Sequence, residues 1–348
     1  MLGIAFCGSA LPALAEQPAG APAQHPTIEI GGFCDFNFFA SDQSNPGSSS
    51  GFKEGQFVLH FASSLSSHID FFSEVSLTAT SSEYKAEVER ALIKFQRSDY
   101  FKIAFGRFHT PINWWNTAFH HGQWLQTTVS RPEMTRFGGQ FIPVHFVGAI
   151  VEGAIPSGPI NLAYETGLGN GRGENIARSG DAGDVNNNRA WLVRLTARPD
   201  GAAFLRFGAS YYRDQISLTR LTEDVSESIS AAFVVWERET PEVIGEYVRI
   251  DHRGETTGTT YGADAFYVQV AYRLPVWGAR VKPYARYEQI DVDEADPVFD
   301  AQTDRRGYLA GVRVDVASFV VAKVEFRHQR SSLDPYVDAA HVQVAFTF

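Results

Sequence analysis

From residue 27 to the C-terminus, apolar and polar side chains alternate with a period of two, the spacing of a half-buried β-strand and not of a helix. In the last segment Val342, Val344, Phe346 and Phe348 share one face, with His341, Gln343 and Thr347 on the other. Before it, Val320, Ala322, Val324 and Phe326 alternate with Lys323, Glu325 and Arg327; Tyr308, Ala310, Val312 and Val314 alternate with Gly311, Arg313 and Asp315. The pattern predicts about sixteen strands, near 27–40, 53–65, 69–80, 85–96, 100–108, 140–153, 160–168, 188–198, 203–212, 229–237, 242–252, 263–273, 280–290, 305–316, 319–329 and 338–348. The fourth and sixth carry apolar residues on both faces, at 90–93 and 147–151, which suits a bulge or a displaced boundary.

The connections between these segments alternate in length. Short ones, such as 66–68, 97–99, 199–201 and 317–318, separate longer polar ones at 41–52, 109–139, 169–187, 213–228, 253–262, 291–304 and 330–337; the connection at 81–83 is a short exception. A soluble sandwich can also show one apolar and one polar face, but has no reason to keep this alternation. A membrane barrel with an even strand count does, because short turns fall on the periplasmic side and long loops outside. The expected fold is therefore all-β, a closed antiparallel transmembrane β-barrel of about sixteen strands covering residues 27–348.

Composition agrees: aromatic residues make up 13% of the chain, with 27 Phe and 13 Tyr, and 30 Gly suit an architecture of many turns. No stretch past the N-terminus reaches the ~18 apolar residues of a membrane helix. The formal charge of -10 argues against nucleic acid as a partner. Residues 2–14 form a short apolar run ending in Ala13-Leu14-Ala15, a small-residue cleavage pattern, so 1–15 reads as a signal peptide and the Ala- and Pro-rich 16–26 as a leader. No Lys or Arg precedes Cys7; with Cys7 removed, Cys34 is alone and forms no internal disulfide.

Charge turns the fold into a function. Lys94, Lys102, Arg107, Arg194, Arg206, Arg249, Arg273, Lys282, Arg286, Arg313, Lys323 and Arg327 are read on the face opposite the apolar positions, together with Glu74, Glu152, Glu165, Glu288, Asp315 and Glu325. A charge at the lipid midplane costs roughly 2–4 kcal/mol, so this face is expected to enclose water as a pore lining. Its basic excess points to a preference for anions; cross-strand pairing of opposite charges would leave weak selectivity instead.

The longest connection, 109–139, follows the fifth strand and is the third external loop. It holds His109, Trp114, Trp115, Phe119, His120, His121, Trp124, Arg131 and Arg136. Such aromatic bulk is costly to leave in water, so the loop is expected to fold into the lumen as a constriction or against a neighbouring subunit. Neighbouring His120 and His121 rarely converge on one ion, and neither cysteine nor clustered acid assists them in sequence, so no metal or other cofactor is expected. At the chain end, Val342, Val344, Phe346 and Phe348 resemble the C-terminal signal by which the barrel-assembly machinery recognises outer-membrane barrels.

Gly106-Arg107-Phe108-His109-Thr110-Pro111, Trp115-Asn116 and His120-His121-Gly122 resemble the outer-membrane porins related to the phosphate-selective porins O and P. The resemblance covers the fifth strand, the third loop, the barrel pattern and the terminal Phe. It implies a homotrimer of about sixteen-stranded barrels in the outer membrane of a Gram-negative bacterium, with basic residues along the channel. The third loop here has only Arg131 and Arg136 as basic residues, so phosphate itself is not implied. The function expected is passive diffusion of small hydrophilic solutes, with no catalysis. The alternatives are a barrel lipase or protease, for which Asp251-His252 is a candidate pair without a serine partner, and a plugged structural barrel.

Overall fold

The computed structural model describes residues 26–43, 50–178, 180–300, 302–332 and 336–348. The signal segment 1–15 and the leader, Pro26 excepted, lie outside the described residues. Sixteen strands follow in order: β1 (Glu29–Ser41), β2 (Gly51–Ser66), β3 (Ile69–Ala79), β4 (Tyr84–Ser98), β5 (Phe101–His109), β6 (His145–Ile155), β7 (Leu162–Asn170), β8 (Ala190–Ala197), β9 (Leu205–Ile216), β10 (Val225–Trp236), β11 (Glu242–Gly254), β12 (Thr260–Ala271), β13 (Val281–Val292), β14 (Arg305–Ala317), β15 (Val320–Ser331) and β16 (Val337–Thr347). Each strand pairs antiparallel with its sequence neighbours, and β1 closes on β16, so the sheet has no free edge. At the seam Gly32 donates its N–H to the Phe348 carbonyl at 3.0 Å and accepts the Phe348 N–H at 3.2 Å.

The seven even-numbered connections are short, and the external ones include loop 3 (110–144) and loop 4 (171–189). β6 starts at His145, not near 140, because Phe141, Ile142 and Val144 are buried as the returning end of loop 3. The irregularity in β4 is a bulge: between Glu74 and Val75 the register skips Glu89, which therefore shares the inner side with its neighbour Arg90.

The outer face is apolar and carries aromatic belts. Tyr247 pairs with Phe266, Phe266 lies 5.9 Å from Tyr287, and Tyr287 pairs with Tyr308, forming a row toward the external end. Tyr272, Trp277 and Phe348 are exposed toward the opposite rim. Both rows suit the membrane–water interfaces. Val342, Val344, Phe346 and Phe348 lie on this outer face, opposite Phe38, Phe36 and Cys34 of β1.

The inner face is not uniformly polar. In β10 the buried, inward positions are Val225, Glu227, Ile229, Ala231, Phe233 and Val235, while Ser226, Ser228 and Ser230 face out. In β11 Ile244, Glu246, Val248, Ile250 and His252 face in. Loop residues Ile112, Trp115, Met134 and Phe141 pack on these side chains in one apolar cluster inside the barrel. Apolar inward residues on this wall bury a loop, as others bury a core.

One pore-lining expectation is corrected here. Arg249 alternates with the buried Val248 and Ile250 and so lies on the outer face, where it pairs with Asp251 at 2.8 Å and Asp264 at 2.5 Å. It sits two residues external to Tyr247 of the aromatic row, and its two carboxylate partners offset its charge on that face.

Candidate functional site: the lumen and its third loop

Loop 3 crosses the lumen and is held by wall side chains. At its start, Glu246 of β11 accepts the backbone N–H groups of Trp114 (2.8 Å) and Trp115 (2.6 Å). Arg194 of β8 donates to the Asn113 carbonyl at 2.8 Å and pairs with Glu165. Arg206 lies over the Trp114 ring at 4.3 Å, and Trp115, fully buried, meets Tyr267 edge-on at 6.1 Å. Four residues, Trp115–Ala118, form a single helical turn (α1).

The middle of the loop is held from the other side. One Arg313 nitrogen donates to the carbonyls of Trp124, Leu125 and Gln126 at 2.8–3.1 Å. Lys323 donates to Gln123 (2.5 Å) and Thr128 (3.0 Å), and Arg286 to Ser130 and Arg131 (both 2.9 Å). Glu325 accepts the N–H groups of Val129 (2.9 Å) and Ser130 (3.1 Å), and Glu288 that of Glu133 (3.0 Å). Arg327 pairs with Glu133 at 2.9 Å. The positive wall groups thus neutralise loop carbonyls that a water-filled channel would otherwise solvate.

Toward the periplasmic rim the remaining residues pair among themselves. Lys94 contacts Glu152 at 2.7 Å, and Lys102 stands opposite Glu152 in the β5–β6 register. Arg273 pairs with Glu239 and, at 2.6 Å, with Asp315, while Lys282 reaches Glu239 (3.1 Å) and Glu242 (2.6 Å). Lys102 and Arg107 are five residues apart, which a regular strand would place on opposite faces. Gly106, at φ +143°, interrupts the alternation, and Arg107, Phe108 and His109 beyond it are all shielded. Arg107 pairs with Asp181 of loop 4 and donates to the Glu89 carbonyl at 3.1 Å.

Sequence reasoning missed two groups that organise the loops, Glu246 and Arg172, and read a third, His252, only as half of a candidate catalytic pair. Glu246 interrupts an apolar inward row, a signal that the row's other residues hid. Arg172 of loop 4, fully buried, pairs with Glu227 at 2.9 Å and donates to the carbonyls of Gln140, Phe141 and Ile176, each at 2.8 Å. His252 sits between Glu227 (3.0 Å) and Asp296 (2.6 Å). The candidate catalytic pair dissolves, since His252 faces in and Asp251 faces out.

Against the β4–β6 wall, loop 3 brings four imidazoles together. His109 and His120 stack with ring centroids 3.8 Å apart, and His121 and His145 lie within 4.6 and 4.8 Å of His120. Glu89 is 3.1 Å from His121 and 2.9 Å from His145. Burial holds the His120 imidazole well below its ordinary range. Burial likewise brings the Arg131 guanidinium, stacked 3.7 Å over Phe137, down to about 9 against the opposing pull of Glu89.

Between loop 3 and β1–β4 an external vestibule of about 1250 Å³ stays open. Its charges are balanced: Lys53, Lys85, Arg136 and Arg178 face Asp35, Glu54, Glu87 and Glu89.

No protein-family model and no curated protein sequence matches the chain. Among solved structures it is similar to an anion-selective porin from Comamonas acidovorans, with a TM-score of 0.68, 9% identity and coverage of 93% of this chain and 100% of that one. The outer membrane channel DcaP of Acinetobacter baumannii gives 0.63 at 9%, covering 93% and 97%. The trimer form of OmpT, an outer membrane protein of Vibrio cholerae, gives 0.60 at 12%, covering 93% and 100%. At such identities the likeness is one of fold: the chain shares with these outer-membrane proteins a closed antiparallel barrel, here of sixteen strands.

Proposed function

We propose that the protein is a narrow outer-membrane channel for passive diffusion of small hydrophilic solutes. The observation that supports this most is the asymmetry of the lumen. Loop 3 is anchored through its backbone to β8–β15 and touches β1, β2 and β4 only through side chains such as Trp124 and His121, so a polar vestibule stays open between it and β1–β4. A plug would be expected to fill the lumen to its mouth; a constriction leaves open polar space beside it, as the vestibule here does.

On selectivity, the anion preference expected from the basic wall residues draws support from one similar fold, the anion-selective porin. Arg286, Arg313 and Lys323 spend their donors on loop carbonyls, and the vestibule charges balance. The reading we favour is a weak preference for anions. Kinship with the phosphate-selective O and P porins rests on the residues 106–111, 115–116 and 120–122, and a homotrimer on that resemblance and on the trimeric neighbour.

Planar-bilayer recording of the refolded protein tests the channel. Stepwise openings support it, and the reversal potential in a salt gradient measures the selectivity. Electrical silence from a heat-modifiable, folded barrel would overturn it in favour of a plugged structural barrel. Silence accompanied by lipid or peptide hydrolysis would favour an enzyme.

A further inference from the structure

The histidine cluster under loop 3 is used by no part of the channel reading. Its ligand atoms converge: those of His109, His120 and His121 lie within 4.8 Å of one another, as do those of Glu89, His120 and His145. The two sets share His120. Loop 3 contributes His120 and His121, β4 Glu89 from its bulge, β5 His109 and β6 His145.

Hydrogen bonding fixes which ring nitrogen carries the proton. The Asn116 amide nitrogen donates to the carbonyls of Thr110 and Val144, both at 2.9 Å, so its oxygen must be the atom 2.9 Å from His120 Nδ1. An amide oxygen only accepts. His120 therefore holds its proton on Nδ1 and keeps the Nε2 lone pair, and that Nε2 has no hydrogen-bond partner among the described residues. His121 repeats the arrangement, with Nδ1 3.0 Å from Gln56 Oε1. Its Nε2 lies 3.1 Å from Glu89 Oε2, so either a proton on Nε2 or a bound cation stands between the two. Glu89 is itself oriented by the Ser76 hydroxyl, which donates to it at 2.6 Å. Outer groups that set the tautomer and aim of a histidine are the usual second layer of a metal site.

We propose that His120, His121, His145 and Glu89, with His109 beside them, bind a late first-row divalent cation of the zinc or copper class. Several imidazoles with one carboxylate suit these ions and disfavour magnesium or calcium, which take oxygen ligands. Entry is from outside, since Glu89, His145 and Gln56 line the vestibule. Of the neighbouring cations, Arg90 donates to Glu74 at 2.5 Å, Arg107 to the Glu89 carbonyl at 3.1 Å, and Arg131 stacks on Phe137 with one nitrogen 3.5 Å from the His120 carbonyl, so none of them occupies an imidazole lone pair. A bound ion would tie loop 3 to three strands at the external mouth.

The test is calorimetric titration of the chelator-treated, full-length barrel in detergent with zinc chloride, then electron paramagnetic resonance of the copper(II) form. One zinc per chain and nitrogen splitting from several imidazoles are the expected results. His120→Ala with His145→Ala should abolish stoichiometric binding, and His68→Ala, in a distant turn, should leave it intact. Gln56→Leu, which touches no ion, should weaken affinity by about 10–100-fold. Each variant is first shown to be folded by heat-modifiable migration. Absence of stoichiometric zinc binding by the native chain, or binding unchanged in the folded double variant, would overturn the proposal whether or not the barrel conducts.

Discussion

Val129, at the middle of loop 3, donates its backbone N–H to a carboxylate oxygen of Glu325 on β15 at 2.9 Å, and Ser130 donates to the same carboxylate. Hydrogen bonds to a charged acceptor are worth about 1.5–3 kcal/mol each. Glu325→Ala should therefore free the middle of the loop while leaving the barrel closed, because no strand pairing involves that side chain. Single-channel recording should show a larger and noisier open level than the native chain. A conductance unchanged in size and noise would mean that the loop does not set the constriction.

Acid should release the same loop later than a free carboxylate would suggest. Burial alone would push the Glu133 carboxyl up, but Arg327 and Arg305 more than offset this and hold it below the ordinary range. A carboxyl depressed in the folded state contributes stability that is complete above its unfolded pKa of ~4.3 and is lost as pH falls through the folded value. Open-level noise should stay flat from neutral pH to about 5 and grow only below about 4. Glu133→Gln should be noisy already at neutral pH, without that acid rise; a native rise confined between pH 5 and 7 would point to other groups.

Strand pairing supplies the next outcome. Gly106 has φ +143°, and a Cβ there would lie 2.0 Å from the Ala91 carbonyl oxygen of the adjoining strand. Gly106→Ala combines backbone strain of about 1–3 kcal/mol with a clash that only separation of β4 from β5 relieves. Denaturant unfolding in detergent should show a lower midpoint, and Gly201→Ala, at a turn with open space around it, should not.

The terminal residue closes the sheet. Phe348 exchanges both backbone hydrogen bonds with Gly32 across the β1–β16 seam, and its ring stacks on Phe57 at 5.7 Å. Deleting Phe348 removes this last rung and the end of the Val342, Val344 and Phe346 row. The yield of folded, membrane-inserted protein in cells should drop several-fold, while refolding of the purified chain into detergent should suffer less. Equal loss in both would assign Phe348 to seam stability and not to recognition during assembly.

The strands were legible because alternation and connection length both follow from how a barrel meets lipid. Which face carried the charges was legible only in part. The sequence reading placed Arg249 inside on the premise that charge marks the lumen; yet on β10 and β11 the inward residues Ile229, Phe233 and Val248 are apolar because a loop, not water, covers them. Polarity alone cannot separate a wall facing a packed loop from one facing hydrocarbon. The histidine cluster was hidden for a different reason: His120 and His121 are adjacent, but Glu89 enters through a bulge and His145 from another strand, so only the closed sheet brings them together.

That distinction can be measured at Arg249 itself. Its partners Asp251 and Asp264 are half-exposed on the outer face, and among the described residues its ion pairs are with these two. Arg249→Gln should leave single-channel conductance and reversal potential as they are in the native chain. Arg313→Gln, by contrast, removes the donor shared by three loop carbonyls and should alter the open level. If Arg249→Gln shifted the reversal potential as a lining residue would, the outer face assigned to β11 would be wrong, and with it the apolar packing surface on which loop 3 rests.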